Sequence, residues 1–347
     1  MGGAQNKKSS IRRILCIKFS SIGDIVLTTS PIQSLRSIFP AATIDILTLS
    51  NFAPLLENNK YIDKIIQFDK KLGLNGLIKI GNNIKKSNYD LIIDFHNSLR
   101  SKIVRIFLWR IPKKHLKKPY LKRFLLFRLR KNYFSADFNQ IQLLHQPIRQ
   151  WLKKEKFPTP ELFVTNYEEK VTKIKLSESD INQPPIVLIP SAAWIQKTWP
   201  ADKYQKLIAN LGKRKKIDFI LLGAKNDDIC SDIAEKNSSI LNLQGKTNLR
   251  EALAIIAVSK FVIGGDTGLV HSAEALGKKV VMILGPTSRE TGAGVNREGS
   301  VVVENNTVWC RPCSQTGKRK CYRSEQFCMN TIKPENVLEI ISKNGLL

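Results

Sequence analysis

The apolar positions in the first half of the chain fall into short runs, and stretches with helical spacing separate these runs. Runs of about 4–8 apolar residues indicate buried strands, whereas apolar residues three and four positions apart indicate amphipathic helices. Pro31 is expected near an end or a kink of the first helix, because proline lacks the amide N–H. The alternation predicts a doubly wound parallel sheet. The predicted strands are Ile14–Phe19, Thr43–Leu49, Ile65–Phe68 and Leu91–Phe95, and the predicted helices include Ile25–Ile38 and Leu72–Lys86.

The same alternation begins again in the second half of the chain. Between the halves, Phe157–Pro185 carries two proline-rich pieces around a charged helical stretch, which is typical of a domain boundary. We therefore predict an α/β protein of two Rossmann-like domains facing a cleft, an N-terminal domain of residues 11–183 and a C-terminal domain of residues 184–347. The predicted strands of the second half are Ile186–Pro190, Phe219–Leu222, Phe261–Ile263 and Val280–Leu284, and its helices include Ala201–Lys213, Leu249–Val258 and Leu269–Leu276.

The composition fits two such domains. The chain has 347 residues, of which 42% are apolar, enough for two hydrophobic cores. No run of about 18 uncharged apolar residues predicts a membrane-spanning helix. The first 13 residues are polar and basic and lack the apolar run of a signal peptide, so we expect residues 1–10 to be a disordered tail. These features predict a cytoplasmic protein.

The charge changes the picture, because 56 Lys and Arg against 29 Asp and Glu give a net charge of +27. Such a charge favours phosphorylated substrates, an anionic membrane surface or nucleic acid as partners. Between Leu99 and Tyr133 there are 13 basic residues and no acid, with aromatic and aliphatic residues between them. A basic amphipathic helix here predicts peripheral contact with a membrane. A solvated charged face and a lysine-favouring composition are the alternatives, and no nucleic-acid module is recognisable.

Four of the six cysteines crowd into one segment, residues 310–328. In a reducing compartment, bound metal or free thiols rank above disulfides. The Cys-x2-Cys spacing is typical of half of a structural zinc site, but the second pair is spaced more widely than in a zinc ribbon. Structural zinc and packed, reduced thiols both remain open. The zinc candidates are Cys310, Cys313, Cys321 and Cys328.

The strongest chemical signal is the segment Gly264–His271, where a predicted strand ends and a helix begins. Glycines let the backbone approach a ligand closely, and the free N–H groups at a helix start suit a diphosphate. An ordinary turn with Asp266 or Thr267 capping the helix is the alternative. The segment is neither a GxGxxG motif nor a P-loop.

Two further loops follow predicted strands. Ser20–Asp24 places a carboxylate at the carboxyl edge of the first sheet, where doubly wound folds bind ligands. Asp24 can equally be an acid that interacts with the helix dipole. Ser191–Pro200 places Lys197 between two tryptophans, where it can neutralise a phosphate or simply lie on the surface beside packed rings.

Together these segments resemble glycosyltransferase family 9, the heptosyltransferases, in order and spacing from about Ile14 to Val337. The resemblance implies the GT-B fold, with an acceptor-binding N-terminal domain and a C-terminal domain that binds the nucleotide sugar. It implies inverting transfer of heptose from ADP-heptose to the lipopolysaccharide inner core or a related surface glycan, with no cofactor required for catalysis. The segments that carry the resemblance are Lys18–Thr29, Lys197–Pro200, Gly265–His271 and Gly285–Thr287.

The resemblance also implies roles for individual residues. Asp24 matches the catalytic base, and Lys197 matches the lysine that contacts the donor phosphate. Asp266 matches the acid that orients the heptose, and Thr267 and Gly268 match the diphosphate loop. Donor contacts are further expected from His271 and from a ribose-binding acid, for which Asp227 and Asp228 are both candidates.

The acceptor is expected to be a phosphorylated, lipid-linked sugar, reached from the inner face of the cytoplasmic membrane. His96 can contact this acceptor or be a structural histidine. Three alternatives stay open at this point: the same family with another sugar or acceptor, a non-catalytic sugar-nucleotide binder, and a basic nucleic-acid-binding protein. The intact Asp24, Lys197 and Asp266 argue against the second. The acceptor-binding candidates are Ser21, Gly23, Asp94, His96 and Arg100.

Overall fold

The computed structural model describes residues 11–152, 157–213, 216–237 and 240–347. The expected tail, residues 1–10, lies outside this part. The chain divides into two compact units. Unit 1 takes the residues up to Lys118 together with Gln140–Phe163, and unit 2 takes Pro119–Asn139 together with Val164–Leu347. The charged helix that the sequence analysis placed before residue 184 is thus grouped with the second unit, as is the basic segment after Lys118.

Unit 1 is built on a five-stranded parallel sheet in the order β3-β2-β1-β4-β5. Strand β1 lies at the centre, and its last four residues are fully buried because other strands pair with both of its edges and helices or loops cover its faces. Its strands are β1 Arg13–Ile17, β2 Thr43–Leu49, β3 Lys64–Phe68, β4 Leu91–Asp94 and β5 Lys113–His115, and its helices are α1 Ile22–Ile38, α2 Gly73–Lys85, α3 Leu99–Phe107 and, after α4 of unit 2, α5 Gln140–His145.

Unit 2 is built on a six-stranded parallel sheet in the order β11-β10-β9-β6-β7-β8. Along β6, Ile186 and Leu188 pack into one hydrophobic core and Val187 and Ile189 into another, which is why this strand is a continuous apolar run. Its strands are β6 Ile186–Ile189, β7 Phe219–Leu221, β8 Leu241–Asn242, β9 Phe261–Gly265, β10 Val280–Leu284 and β11 Val301–Glu304, and its helices are α4 Tyr120–Leu129, α6 Asn166–Ser177, α7 Ala201–Gly212, α8 Ile229–Glu235, α9 Leu249–Val258, α10 Gly268–Ala275, α11 Phe327–Asn330 and α12 Pro334–Lys343.

The sequence predicted Pro31 near an end or a kink of the first helix, and the residue does not lie at an end. Pro31 lies in the interior of α1, which continues for another seven residues to Ile38. The residue is buried, as are most residues of this helix, so the helix continues in a packed environment despite the missing N–H. Across the part of the chain that the structure describes, no helix is both long enough and apolar enough to cross a bilayer.

Candidate functional site

In unit 1, Asp24 lies in the first turn of α1, directly after the carboxyl end of β1. Its carboxylate is 3.4 Å from the Nζ atom of Lys18, and the lysine side chain is only 4% exposed whereas that of Asp24 is 42% exposed. Partial burial works against ionisation of Asp24, but the ammonium of Lys18 and weaker contributions from His96 and Lys118 hold the pKa of this carboxyl below its usual value. Asp24 is therefore an ionised, accessible carboxylate at neutral pH.

The segment after β4 forms a second wall beside Asp24. The carboxylate of Asp94 accepts hydrogen bonds from the backbone N–H groups of His96 and Asn97, at 2.9 and 2.8 Å. Its other oxygen lies 3.4 Å from Nε of Arg105, and the residue has no exposed surface. Asp94 therefore orders the loop from within, and its complete burial keeps its carboxylate away from an acceptor, contrary to the prediction.

The loop that Asp94 orders presents His96 on the Asp24 side. Burial, reinforced by the cations Lys18 and Lys118, lowers the pKa of His96 to about 4, so its imidazole is neutral at physiological pH. Among the described residues, none gives its Nδ1 atom a hydrogen-bond partner. The ring packs edge-on against Phe19, with centroids 5.7 Å apart. His96 is thus held in place with its Nδ1 atom buried and without a hydrogen-bond partner among the described residues.

The other acceptor candidates surround the start of two helices. Ser21 is the N-cap residue of α1, but its side chain makes no capping hydrogen bond, and Gly23 is buried in the first turn. Arg100 lies in the first turn of α3, whose N-terminus is capped instead by Ser98. Position alone brings Ser21, Gly23 and Arg100 to the carboxyl edge of the sheet, where ligands bind in such folds.

In unit 2, Asp266 is the centre of a polar cluster at the carboxyl end of β9. One of its oxygens lies 2.6 Å from Nζ of Lys197 and 3.0 Å from the hydroxyl of Thr287, and the other lies 3.2 Å from Nε2 of His271. The side chains of Asp266 and Lys197 are only 11% and 13% exposed. Burial opposes ionisation of Asp266, yet the Lys197 ammonium and the hydrogen bond to His271 hold its pKa well below the usual value.

The helix start beside this cluster is not capped by a side chain. Thr267 occupies the N-cap position of α10 without a capping hydrogen bond, and no described residue bonds to its buried hydroxyl. Asp266 is committed to Lys197, Thr287 and His271. The alternative of an ordinary capped turn therefore does not hold. The N-terminus of α10, beginning at Gly268, offers uncapped N–H groups and the Thr267 hydroxyl, which suits an anion.

The loop that carries Lys197 is held by close backbone contacts. Lys197 ends a short 3-10 helix, Ile195–Lys197. A β-carbon added to Gly265 would come within 2.7 Å of the Lys197 carbonyl oxygen, and one added to Gly317 within 2.7 Å of its Cγ atom. The glycines at these two positions therefore allow the Lys197 loop, β9 and the cysteine-rich segment to pack together.

The structure separates the two ribose-binding candidates. Asp227 accepts hydrogen bonds from the Ser191 hydroxyl at 2.6 Å and from the backbone N–H of Ala224 at 2.5 Å. It thereby links the loops that follow β6 and β7, on the same edge of the sheet as Asp266. Asp228 is the N-cap residue of α8 and makes no capping hydrogen bond. Of the two, Asp227 is the one whose carboxylate joins loops at this edge of the sheet.

The four clustered cysteines border one small cavity of about 20 Å³. All six cysteines are free, and burial raises the pKa of Cys328 to about 11. Within the described ranges, no three His, Cys, Asp or Glu side chains are grouped so as to hold a metal ion. Three arginines line the same cavity, which disfavours a cation. Structural zinc stays a prediction, which elemental analysis of protein purified without chelators would test.

A larger cavity of about 860 Å³ lies elsewhere in unit 2. It is bordered by β11, α12 and the loop around Trp309. Its lining includes none of the donor-binding candidates, so cavity volume alone does not locate the site. The chemistry instead points to the Asp266 cluster.

Several residues of these clusters were missed in the sequence. Lys18 and Thr287 lie inside segments that carry the family resemblance, so their place in those segments was the available signal. Lys118 belongs to the basic stretch but had no separate signal. Ser191 and Gly317 act through contacts with Asp227 and Lys197 that only the folded chain shows.

Comparison with known proteins places this geometry in a family. A family model described as glycosyltransferase family 9 (heptosyltransferase) matches residues 77–322. The chain is 28% identical to lipooligosaccharide heptosyltransferase 2 of Haemophilus ducreyi over 309 residues, which cover 84% of this chain and 88% of the relative.

Solved structures show the same fold. The E. coli ADP-heptose lipopolysaccharide heptosyltransferase II has a TM-score of 0.75 at 24% identity, covering 96% of this chain and 98% of that one. A glycosyltransferase family 9 protein from Veillonella parvula has a TM-score of 0.78 at 16% identity, with 96% and 97% covered. The predicted GT-B fold class, with two parallel-sheet α/β domains, is confirmed.

Proposed function

The chain belongs to glycosyltransferase family 9, the heptosyltransferase family, and from this premise we propose that it transfers a heptose from ADP-heptose to a sugar of the lipopolysaccharide inner core. The enzyme class, a glycosyltransferase, follows from the family. The donor and the acceptor are supported by the names of the relatives, which include a lipooligosaccharide heptosyltransferase and an ADP-heptose heptosyltransferase. Membership of this family also favours an enzyme over the nucleic-acid-binding alternative.

One observation carries the proposal most directly, the pairing of Lys197 with Asp266 beside the uncapped start of α10. The ammonium, the helix N–H groups and the Thr267 hydroxyl form a positive, hydrogen-bond-donating surface that suits a diphosphate. Asp266 holds Lys197 in place at 2.6 Å, and the one lone-pair site that Lys197, Thr287 and His271 leave on its carboxylate can accept from a sugar hydroxyl. This cluster has the chemistry needed to hold a nucleotide diphosphate and the sugar attached to it.

In the proposed reaction, the acceptor hydroxyl attacks the anomeric carbon of the heptose, and Asp24 accepts the hydroxyl proton. The new bond joins the acceptor oxygen to the anomeric carbon, while the bond from that carbon to the diphosphate oxygen breaks and ADP leaves. Attack opposite to the leaving group inverts the anomeric configuration. The low pKa of Asp24 keeps the base ionised and ready at neutral pH.

The departing diphosphate develops negative charge, and we propose that protein groups alone stabilise it. Lys197 and the N-terminus of α10 supply this stabilisation without a metal ion. The expected consequence is full turnover in the presence of EDTA. A requirement for added magnesium or manganese would overturn this part of the proposal.

The acceptor end of the proposal draws on the cations near Asp24. Lys18 and Lys118 both influence the Asp24 carboxyl, and Arg100 lies in the first turn of α3. Such a field suits a phosphorylated, lipid-linked sugar. We propose that the protein works at the cytoplasmic face of the membrane, where it would meet this acceptor.

The proposal is tested by thermal shift and by turnover with the purified protein. ADP-heptose should raise the melting temperature more than UDP- or GDP-sugars at equal concentration, because a ligand stabilises the state that binds it. With an inner-core acceptor, mass spectrometry should show the gain of one heptose. Stabilisation by UDP- or GDP-sugars alone would point to another donor. If none of the sugar nucleotides supports turnover, the proposal is overturned.

A further inference from the structure

We propose that helix α4, Tyr120–Leu129, is a docking surface for a bilayer of anionic phospholipid. The helix belongs to unit 2 and lies outside the donor and acceptor clusters described above. The inference concerns how the protein reaches a surface, so it does not depend on which sugar is transferred.

The first observation is that α4 turns its apolar side chains toward solvent. Leu126 is the one residue of this helix that is buried. Surface helices normally face an apolar stripe inward. Isolated exposed apolar residues are ordinary, but a group of them on ten residues forms a patch that marks an interaction site. The exposed members of the patch and of the turn that follows it are Tyr120, Leu121, Phe124, Leu129 and Tyr133.

Three of these residues follow the helical repeat. At 100° per residue, Tyr120, Phe124 and Leu121 lie within about 100° of the circumference, whereas Leu129 lies about 180° from Tyr120, outside this face. Leu121 and Tyr120 are 71% and 67% exposed. A helix with this face can lie in the plane of a membrane surface, with its side chains among the lipid headgroups.

The second observation is the charge around this patch. Residues 119–139 contain five Lys or Arg and a single acid, Asp137, which lies beyond the end of the helix. Lys122, Arg128 and Lys131 are exposed. Each such cation near an anionic leaflet strengthens binding by roughly five-fold. Their long apolar stems can lie along the patch while the charged ends reach lipid phosphates.

The helix is anchored to the body of unit 2 at its end, which keeps the apolar face outward. Arg130 caps the helix in the left-handed conformation, and its guanidinium donates a 2.6 Å hydrogen bond to the carbonyl of Pro312. The same guanidinium lies 6.0 Å from the centre of the Trp309 ring. Trp309 is itself 67% exposed, so it adds an aromatic group of the kind found at membrane interfaces.

The combination favours lipid over nucleic acid. Cations and aromatic rings serve both partners, since nucleic acids need phosphate contacts and base stacking. The aliphatic side chains Leu121 and Leu129 have no such use on a nucleic acid, but they gain from leaving water at a lipid surface. A merely solvated face would have polar residues at these positions.

The test compares matched variants in flotation with vesicles. Leu121→Ser/Phe124→Ser removes two apolar groups that are 71% and 56% exposed, and Tyr167→Ser/Ile174→Ser on α6 removes two that are 76% and 59% exposed. The probe is a vesicle of phosphatidylcholine with about 30 mol% phosphatidylglycerol, which is enough anionic lipid for a negative surface potential. Vesicles of pure phosphatidylcholine serve as the neutral comparison.

We expect the wild type to bind the anionic vesicles, with affinity falling as salt rises, and to bind the neutral ones weakly. The α4 variant should lose about ten-fold or more in affinity and the α6 variant should not change. Equal binding by both variants, or no binding by the wild type, overturns the proposal. So does a loss of single-stranded oligonucleotide binding in the α4 variant that equals or exceeds its loss of vesicle binding, because α4 would then serve nucleic acid.

Heptosyl transfer to a deacylated, soluble acceptor is measured in parallel. The α4 variant should keep wild-type turnover there, because α4 contributes no group to the reaction. Loss of vesicle binding with intact turnover supports the docking surface. Absence of turnover in the wild type contradicts the proposed function and leaves the vesicle result to be judged alone.

Discussion

The Nζ atom of Lys18 lies 3.4 Å from the carboxylate of Asp24, and the lysine is almost completely buried while the aspartate is not. A buried ammonium needs a counter-charge, because removing one partner of such a pair leaves the other uncompensated. Asp24 therefore balances Lys18 within unit 1 and at the same time presents a carboxylate to solvent. Any substitution of Asp24 changes both functions, and the experiments have to separate them.

Replacement of Asp24 by Asn is the sharpest test of the base. The amide keeps the volume of the side chain but cannot accept a proton, so kcat should fall by about 10²- to 10⁴-fold. The dissociation constant of the donor should stay within about two-fold, since the donor cluster lies in the other unit. A two-fold change corresponds to only about 0.4 kcal/mol of binding free energy. Turnover assays and calorimetric titration with ADP measure the two quantities. Wild-type turnover in this variant would show that Asp24 is not the base.

A double variant separates catalysis from stability. Asp24→Asn should lower the melting temperature, because Lys18 then stays buried without its partner. Adding Lys18→Met removes that charge, and part or all of the lost stability should return. Activity should not return, because the carboxylate is still missing. Recovery of turnover in the double variant would mean that the single variant failed through misfolding.

The same pair determines how activity depends on pH. Lys18 lowers the pKa of Asp24, so in the wild type the base loses activity only as pH falls below the usual aspartate value of about 3.9. Lys18→Met removes the cation, raises the pKa of Asp24 and should move the acid limb of the kcat profile to higher pH. Lys18→Arg keeps the charge and should leave the limb near its wild-type position. An unchanged limb in Lys18→Met would show that this base does not control it.

Two threonines of the donor cluster should behave differently when changed to valine. The Thr267 hydroxyl has no partner among the described residues, so its loss should change stability by no more than about 0.5 kcal/mol. Donor affinity should fall about ten-fold, the value of one hydrogen bond to a charged group. Thr287 donates to Asp266 at 3.0 Å, and Thr287→Val should cost about 1–3 kcal/mol of stability. Unfolding and titration of both variants distinguish them, and equal stability losses would contradict the assignment.

Central elements were predictable because burial on both faces leaves a strong signal. Thr43–Leu49, Leu249–Val258 and Val280–Leu284 were predicted with the bounds that the structure has. The strand Lys113–His115 lies at an edge of the sheet in unit 1, and Val301–Glu304 lies at an edge of the sheet in unit 2. The strand at the other edge of the second sheet, Leu241–Asn242, is only two residues long. The apolar run of Val301–Val303 is shorter than the roughly 4–8 residues that indicate a strand, and the other two strands are shorter or polar, so their sequences do not stand out.

In the candidate site, too, residues with a local sequence signal were predictable and residues that act through distant contacts were not. Asp24 and Asp266 were found because each follows a strand in a doubly wound fold, which is a local signal. The sequence did not reveal that Asp94 is buried and accepts hydrogen bonds from the loop that follows it, because carboxylates at strand ends look alike in sequence. The contact of Gly317 with Lys197 joins residues 120 positions apart and has no local pattern.

That contact allows Lys197 to be displaced without removing its charge. Lys197→Met would leave the buried Asp266 carboxylate without its lysine counter-charge and destabilise the fold by about 3–5 kcal/mol, so a loss of donor binding could not be told from a loss of folding. Gly317 has a φ of +81°, and a β-carbon there would lie 2.7 Å from Cγ of Lys197. Gly317→Ala should therefore raise the donor KM several-fold by shifting the lysine. Gly345→Ala is the control, since its φ of +57° carries similar backbone strain but its β-carbon meets nothing within 4 Å. If both variants change KM equally, or neither does, the contact does not position Lys197.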